Sequence, residues 1–181
     1  MLDLKPIVQT ILKDYALSWH GTHGVGHWAR VLENGLRLAE VTGANADVVR
    51  LFAIFHDSRR MTESTDYGHG QRGAEFAAQL RGEVFDLPDA EFHLLCAACA
   101  GHEYGMIDAS ATVQICWDAD RLDLGRVGMR LDPTKLCTEA ARHPNIIRWA
   151  DGRAAFKVVP EIVSVEWGIE TSGWRYDYHE L

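Results

Sequence analysis

The stretch Ala53-Ile54-Phe55-His56-Asp57 constrains this chain more than any other. An apolar run on helical spacing ends abruptly in a histidine and an aspartate side by side. Imidazole nitrogen and carboxylate oxygen are both good ligands for a divalent transition metal. Taken alone, such a pair is more often a solvated helix end beside a half-buried ring. Its meaning therefore depends on where the other histidines and aspartates fall.

Apolar periodicity predicts helices almost throughout. Residues 5–18 form a first helix, with Pro6 near its first turn and Val8, Ile11, Leu12 and Tyr15 at helical spacing. Three glycines and the histidines His20 and His23 mark 18–26 as a loop. A second helix spans His27 to Val41 on the stripe Trp28, Val31, Leu32, Gly35, Leu38, and stops at Gly43. A third runs from Ala46 to Asp57, capped by Asn45 or Asp47. After a polar loop at 58–67 come helices at 69–81, 89–101 and 112–127, and a short one at 134–142. Pro133 and Pro144 punctuate that last region. The tail from Phe156 to Tyr178 is rich in β-branched and aromatic residues, broken by Pro160, Gly168 and Gly173, and its pattern predicts a small β hairpin laid on the helices. The expectation is an all-α bundle over residues 1–155, with residues 156–181 packing on the same domain.

Length and charge set limits on function. A chain of 181 residues suits one domain with its own core. A net charge of -8 argues against general nucleic-acid binding or attachment to a membrane surface, while leaving room for a small basic pocket. There is no apolar run long enough to span a bilayer, and the first residues lack a signal-peptide core. The cysteines Cys96, Cys99, Cys116 and Cys137 fit a reducing compartment, so a cytoplasmic location is expected. Cys96 and Cys99 form a C-x-x-C flanked by His93 and His102, but on a helix these two histidines lie on nearly opposite sides. The cysteines are therefore read as packing residues.

Helical phase sends His27, His56, His69, His102 and Asp120 inward from five different helices, near one end of the bundle. Burying an ionised carboxylate or an unpartnered imidazole is costly. A shared cation removes the cost for all of them, so the set favours a metal site. His93, His143 and His179 are ordinary surface or core residues by this reading.

The pattern His27-x-x-Arg30-Val31, then His56-Asp57, then Asp118-Ala119-Asp120-Arg121-Leu122-Asp123 resembles the HD-domain superfamily of metal-dependent phosphohydrolases. The match covers roughly residues 20–130 and implies an all-helical HD-type bundle. The resemblance implies His27, His56, Asp57 and one aspartate of the Asp-Ala-Asp as ligands of a divalent metal, whether Mn, Fe, Co, Zn, Ni or Mg. Asp120 fits the family's spacing and the helical phase, with Asp118 as the alternative and His23 as a rival to His27. Asp57 would also orient the attacking water. His102 is expected in proton transfer, and His69, Arg59, Arg60 and Arg121 in binding phosphate. His69 and His102 also sit where some relatives hold a second metal. The implied substrate is a small-molecule phosphate ester, with nucleotides in view.

Two relatives of that superfamily fit less well. Arg59-Arg60 stand where enzymes of (p)ppGpp hydrolysis carry acidic residues, and the Gly-Tyr-Pro signature of cyclic-di-GMP phosphodiesterases is missing. A di-iron oxygenase on the same scaffold and a binding module without turnover are the alternatives.

Overall fold

The helix α3 (Ala46–Phe55) lies at the centre of the molecule, because beyond its first turn every side chain but that of Arg50 is apolar. Every residue from Val48 to Phe55 is buried, as expected for a helix that is apolar nearly all round. The Asn45 side chain starts it, accepting hydrogen bonds from the backbone N–H of Asp47 and Val48, both at 3.0 Å. The computed structural model describes residues 2–172 and 174.

Around α3 pack α2 (Val25–Thr42), α4 (His69–Leu80), α5 (Asp89–Gly101) and α6 (Ala111–Arg121). The helix α1 (Lys5–Lys13) lays Ile7, Val8, Ile11 and Leu12 against the same core. It ends five residues before the expected position. Beyond it Tyr15 turns inward, donating its hydroxyl to the His23 carbonyl at 2.8 Å and meeting the Trp28 ring edge-on. No helix among the described residues is long and apolar enough to cross a membrane.

Two glycines set how closely α4 approaches the site. A Cβ at Gly73 would collide with the Phe55 carbonyl oxygen, and one at Gly70 with the Cys99 carbonyl oxygen and the His102 ring. The start of α4 is therefore pressed against the C-terminal ends of α3 and α5.

Several sequence expectations fail for identifiable reasons. The sixth helix stops at Arg121, and Leu124–Val127 form a 3-10 turn, because Asp123 turns inward to buried partners. The helix expected at 134–142 splits into a 3-10 turn at Pro133–Lys135 and α7 (Glu139–Arg142), capped by Thr138. Pro144 opens a helix, α8 (Pro144–Ala155), where the sequence suggested only a break. Proline suits a first helical turn, which has no use for its missing N–H.

The helix α8 ends with Lys157 in the left-handed region, at φ 47°. The N–H of Lys157 bonds the Ala154 carbonyl and that of Val158 bonds the Arg153 carbonyl, both at 2.9 Å. This is a Schellman cap, whose left-handed position is usually glycine. A side chain there costs roughly 1 kcal/mol.

No hairpin forms among the described residues of the tail. Ile162–Val165 make a helical turn, α9, and Val163 and Trp167, four residues apart, are both fully buried. The β-branched run is helical filling for the same core, interrupted at Gly168 with φ 68°. The expectation for Tyr176 and Tyr178 falls outside the described residues. All four cysteines are free, Cys99 and Cys116 buried and Cys96 and Cys137 half-buried, as packing residues would be.

The packing of α4 predicts that Gly73→Ala lowers stability. Overpacking against a backbone oxygen costs about 2 kcal/mol. That outweighs the gain of up to about 1 kcal/mol from replacing a helical glycine. Urea unfolding should show a lower midpoint at unchanged slope.

Candidate metal centre

The centre begins with how each imidazole is held. His56 caps the C-terminal end of α3, and its Nδ1 lies 3.1 Å from the carbonyl oxygens of both Phe52 and Ala53. Carbonyls only accept, so Nδ1 carries the hydrogen and Nε2 presents a lone pair. His27 is the third residue of α2, and its Nδ1 lies 2.7 Å from Asp123 Oδ2, which fixes the same tautomer. The two Nε2 atoms then face one another at 3.0 Å.

A proton between them is not a ready answer. Burial pushes His56 down to about 3, against the pull of Asp57 and Asp120. Carboxylate oxygens crowd the same point. Asp57 Oδ2 is 3.4 Å from His27 Nε2 and 3.6 Å from His56 Nε2. Asp120 Oδ1 is 3.4 Å and 3.8 Å from the same two atoms. Burial works to raise Asp120, but the neighbouring His56 and Arg126 bring it down to about 2.

A second pair repeats the arrangement. His102, just past α5, directs Nδ1 at the Cys99 carbonyl at 2.7 Å. His69, the first residue of α4, directs Nδ1 at the Asp66 carbonyl at 2.6 Å and lies 2.7 Å from Glu103 Oε2. Their Nε2 atoms approach to 2.9 Å. Asp57 Oδ1 is 3.2 Å from His69 Nε2 and 3.8 Å from His102 Nε2. Asp57 thus turns one oxygen to each pair. The residues form two groups able to hold an ion, His27 with His56 and Asp57, and Asp57 with His69 and His102.

The donor set fits divalent cations. The Oδ1 atoms of Asp57 and Asp120 are buried and have no hydrogen-bond partner, so each carries a lone pair that water does not reach. The groups differ in one respect. Burial would lower His102, but Asp57, Asp120 and the Cys99 carbonyl together outweigh burial and raise it. A proton on His102 can therefore stand in for an ion in the second group, whereas His56 resists that substitution in the first.

Other expected residues are placed as follows. Arg60 reaches the second group, with Nη1 3.2 Å from His69 Nε2 and 3.6 Å from Asp57 Oδ1. Arg59 and Arg121 do not reach the centre, which corrects their assignment to phosphate binding. Arg59 bonds the Asp14 carbonyl and stacks over Phe76. Arg121 donates to the carbonyls of Lys135 and Met106. Asp118 is turned away, accepting from the backbone N–H of Cys137 and Thr138 and from the Thr138 hydroxyl. His23 pairs with Glu63, and its ring centroid is 6.3 Å from that of His27.

Sequence reasoning gave no role to Asp123, Arg30 or Arg126. Arg30 grips Asp123 with two bonds, at 2.7 and 2.9 Å, and donates a third to the Val158 carbonyl at 3.0 Å. Asp123 holds His27 in turn, a carboxylate–histidine support that orients a ligand. Arg126 Nη1 lies 3.9 Å from Asp120 Oδ1. The signal was available: Arg30 follows His27, and Asp123 follows Asp120, by three residues and so shares its helix face. A cleft of about 1000 Å³ opens on His27, Arg30 and Arg126.

Two predictions follow from this geometry. Asp123→Asn should weaken the first group's metal affinity by about 10- to 100-fold, measured by competition with a chelator. As pH falls, protons should displace the ion of the second group first, because His102 binds a proton more readily than free imidazole and His56 far less readily. Metal stoichiometry against pH should step from two ions to one before the remaining ion, that of the first group, is lost.

The comparisons with known proteins bear on this arrangement. The HD domain family model matches residues 24–125, which contain every donor of both groups. The crystal structure of a predicted HD superfamily hydrolase from an uncultured Thermotogales bacterium superimposes with a TM-score of 0.60 at 29% identity, over 84% of each chain. No curated protein sequence matches. With more than half its length matched and the ligand-bearing helices in place, the chain belongs to the HD-domain family.

Proposed function

We propose that this metal-dependent hydrolase cleaves phosphate esters, with nucleotides among the candidate substrates. The observation that carries the reading is Asp57, set between two pairs of histidines whose lone pairs converge. The position of Asp57 favours two ions, which moves His69 and His102 from the phosphate contact and proton transfer expected of them toward ligation.

Bound divalent ions would lower the pKa of a water and polarise the phosphoryl oxygens. The chain's own residues account for the rest. His27 and His56 are fixed by their Nδ1 bonds, so their lone pairs need no reorientation during turnover. Asp57, ionised and short of donors, is placed to accept a hydrogen bond from the attacking water and set its direction. Arg60 and Arg126 flank the donor groups on two sides, where guanidinium N–H groups suit phosphoryl oxygens. Walls that bury all but a small fraction of Asp57 and His56 limit access of bulk water to the reacting atoms.

The same carboxylate between two histidine pairs also suits a di-iron centre, so an oxygenase is the second reading. The cationic lining of the cleft favours an anionic substrate and hence the first. The test is a panel of phosphomonoesters and phosphodiesters, run on wild type and Asp57→Ala with bound metal counted in each. Phosphate release should fall at least about 10³-fold in the variant, together with loss of both ions. Turnover of no ester by wild type loaded with Mn²⁺, Co²⁺, Fe²⁺ or Mg²⁺ overturns the reading, and oxygen uptake by an iron-loaded protein supports the second.

A further inference from the structure

The cleft that opens on His27 continues well past the metal-binding groups. One wall is the turn Leu124–Val127 and the loop that follows it, and the other is the end of α8 with Phe156 and Lys157. Its volume of about 1000 Å³ is at the upper end of pockets that enclose a whole small molecule. A phosphoryl group alone would fill a small part of it.

Charge in the cleft runs against the charge of the chain. The chain carries -8, yet the charged side chains lining the cleft are Arg30, Arg126, Arg130 and Lys157 against the one acid Asp151. Arg30 is engaged by Asp123, and Arg126 leans toward Asp120 at the metal end. Arg130 and Lys157 are exposed and have no ion-pair partner among the described residues. Beside them Met129 and Phe156 stand 55% and 61% exposed, an apolar surface on the same walls.

Lys157 is also the one non-glycine residue with positive φ among the described residues. Its position in the cap of α8 is one that glycine fills without strain. A lysine there costs the cap roughly 1 kcal/mol relative to glycine, and its side chain lines the cleft. We infer that Lys157 and Arg130 form a second anion subsite in the cleft, so that the preferred substrate is a phosphate ester carrying a further anionic group on a body with an apolar face. The subsite rests on the phosphate-ester reading only for which end of the substrate is cleaved.

Adenosine 5′-monophosphate and adenosine 3′,5′-bisphosphate differ by one anionic group and serve as matched probes. Calorimetric titration of the metal-free full-length chain reads their binding without turnover, so an absence of phosphatase activity leaves this test intact. The wild type should bind the bisphosphate about tenfold more tightly than the monophosphate. Lys157→Gly should abolish that preference while its melting temperature stays equal to or above the wild type's. Lys157→Arg should keep the preference, and Arg130→Ala should reduce it. Equal binding of the two probes by wild type overturns the inference. So does a Lys157→Gly protein that keeps the full preference, or one that loses it together with a fall in melting temperature.

Discussion

The structure turns on a repulsion. Two imidazoles, each committed by its Nδ1 to an acceptor, face each other through lone pairs at 3.0 Å, and a second pair meets at 2.9 Å with the Arg60 guanidinium beside His69. Carboxylate oxygens crowd the same points without donors. In a protein interior such an arrangement is unfavourable unless a positive charge sits among the acceptors. The polypeptide holds it because the surrounding helices are fixed by apolar burial that does not depend on the centre.

The helix ends make that fixation local. His56 turns its Nδ1 onto two carbonyls in the last turn of α3, those of Phe52 and Ala53, the first of which also accepts the His56 backbone N–H. His102 does the same with the Cys99 carbonyl near the end of α5. Glycines at 70 and 73 bring α4 close enough for His69 to join. A helix terminus thereby orients a ring that would otherwise rotate, and the orientation costs no additional side chain.

Much of this was legible from the chain alone, and the failures share a cause. The central helix and the His56-Asp57 end could be read because they depend on spacing within one segment. Asp120 lay on the inward phase, and the structure sets its Oδ1 beside both histidines of the first group. Asp118, two residues away, is more deeply buried but is claimed by backbone N–H groups of residues 137 and 138, partners that no local pattern displays. Arg59 and Arg121 neighbour the motif in sequence only; their long side chains leave for carbonyls elsewhere. In the tail, β-branched composition suggested strands, whereas the four-residue interval between Val163 and Trp167 was the better guide.

The guanidinium of Arg30 joins regions that are remote along the chain. It holds Asp123, which steadies His27, and with a third N–H it ties down the Val158 carbonyl just after the cap of α8. The support of the first ligand and the anchoring of the backbone just after α8 thus rest on one guanidinium, and a single substitution at Arg30 would remove both at once.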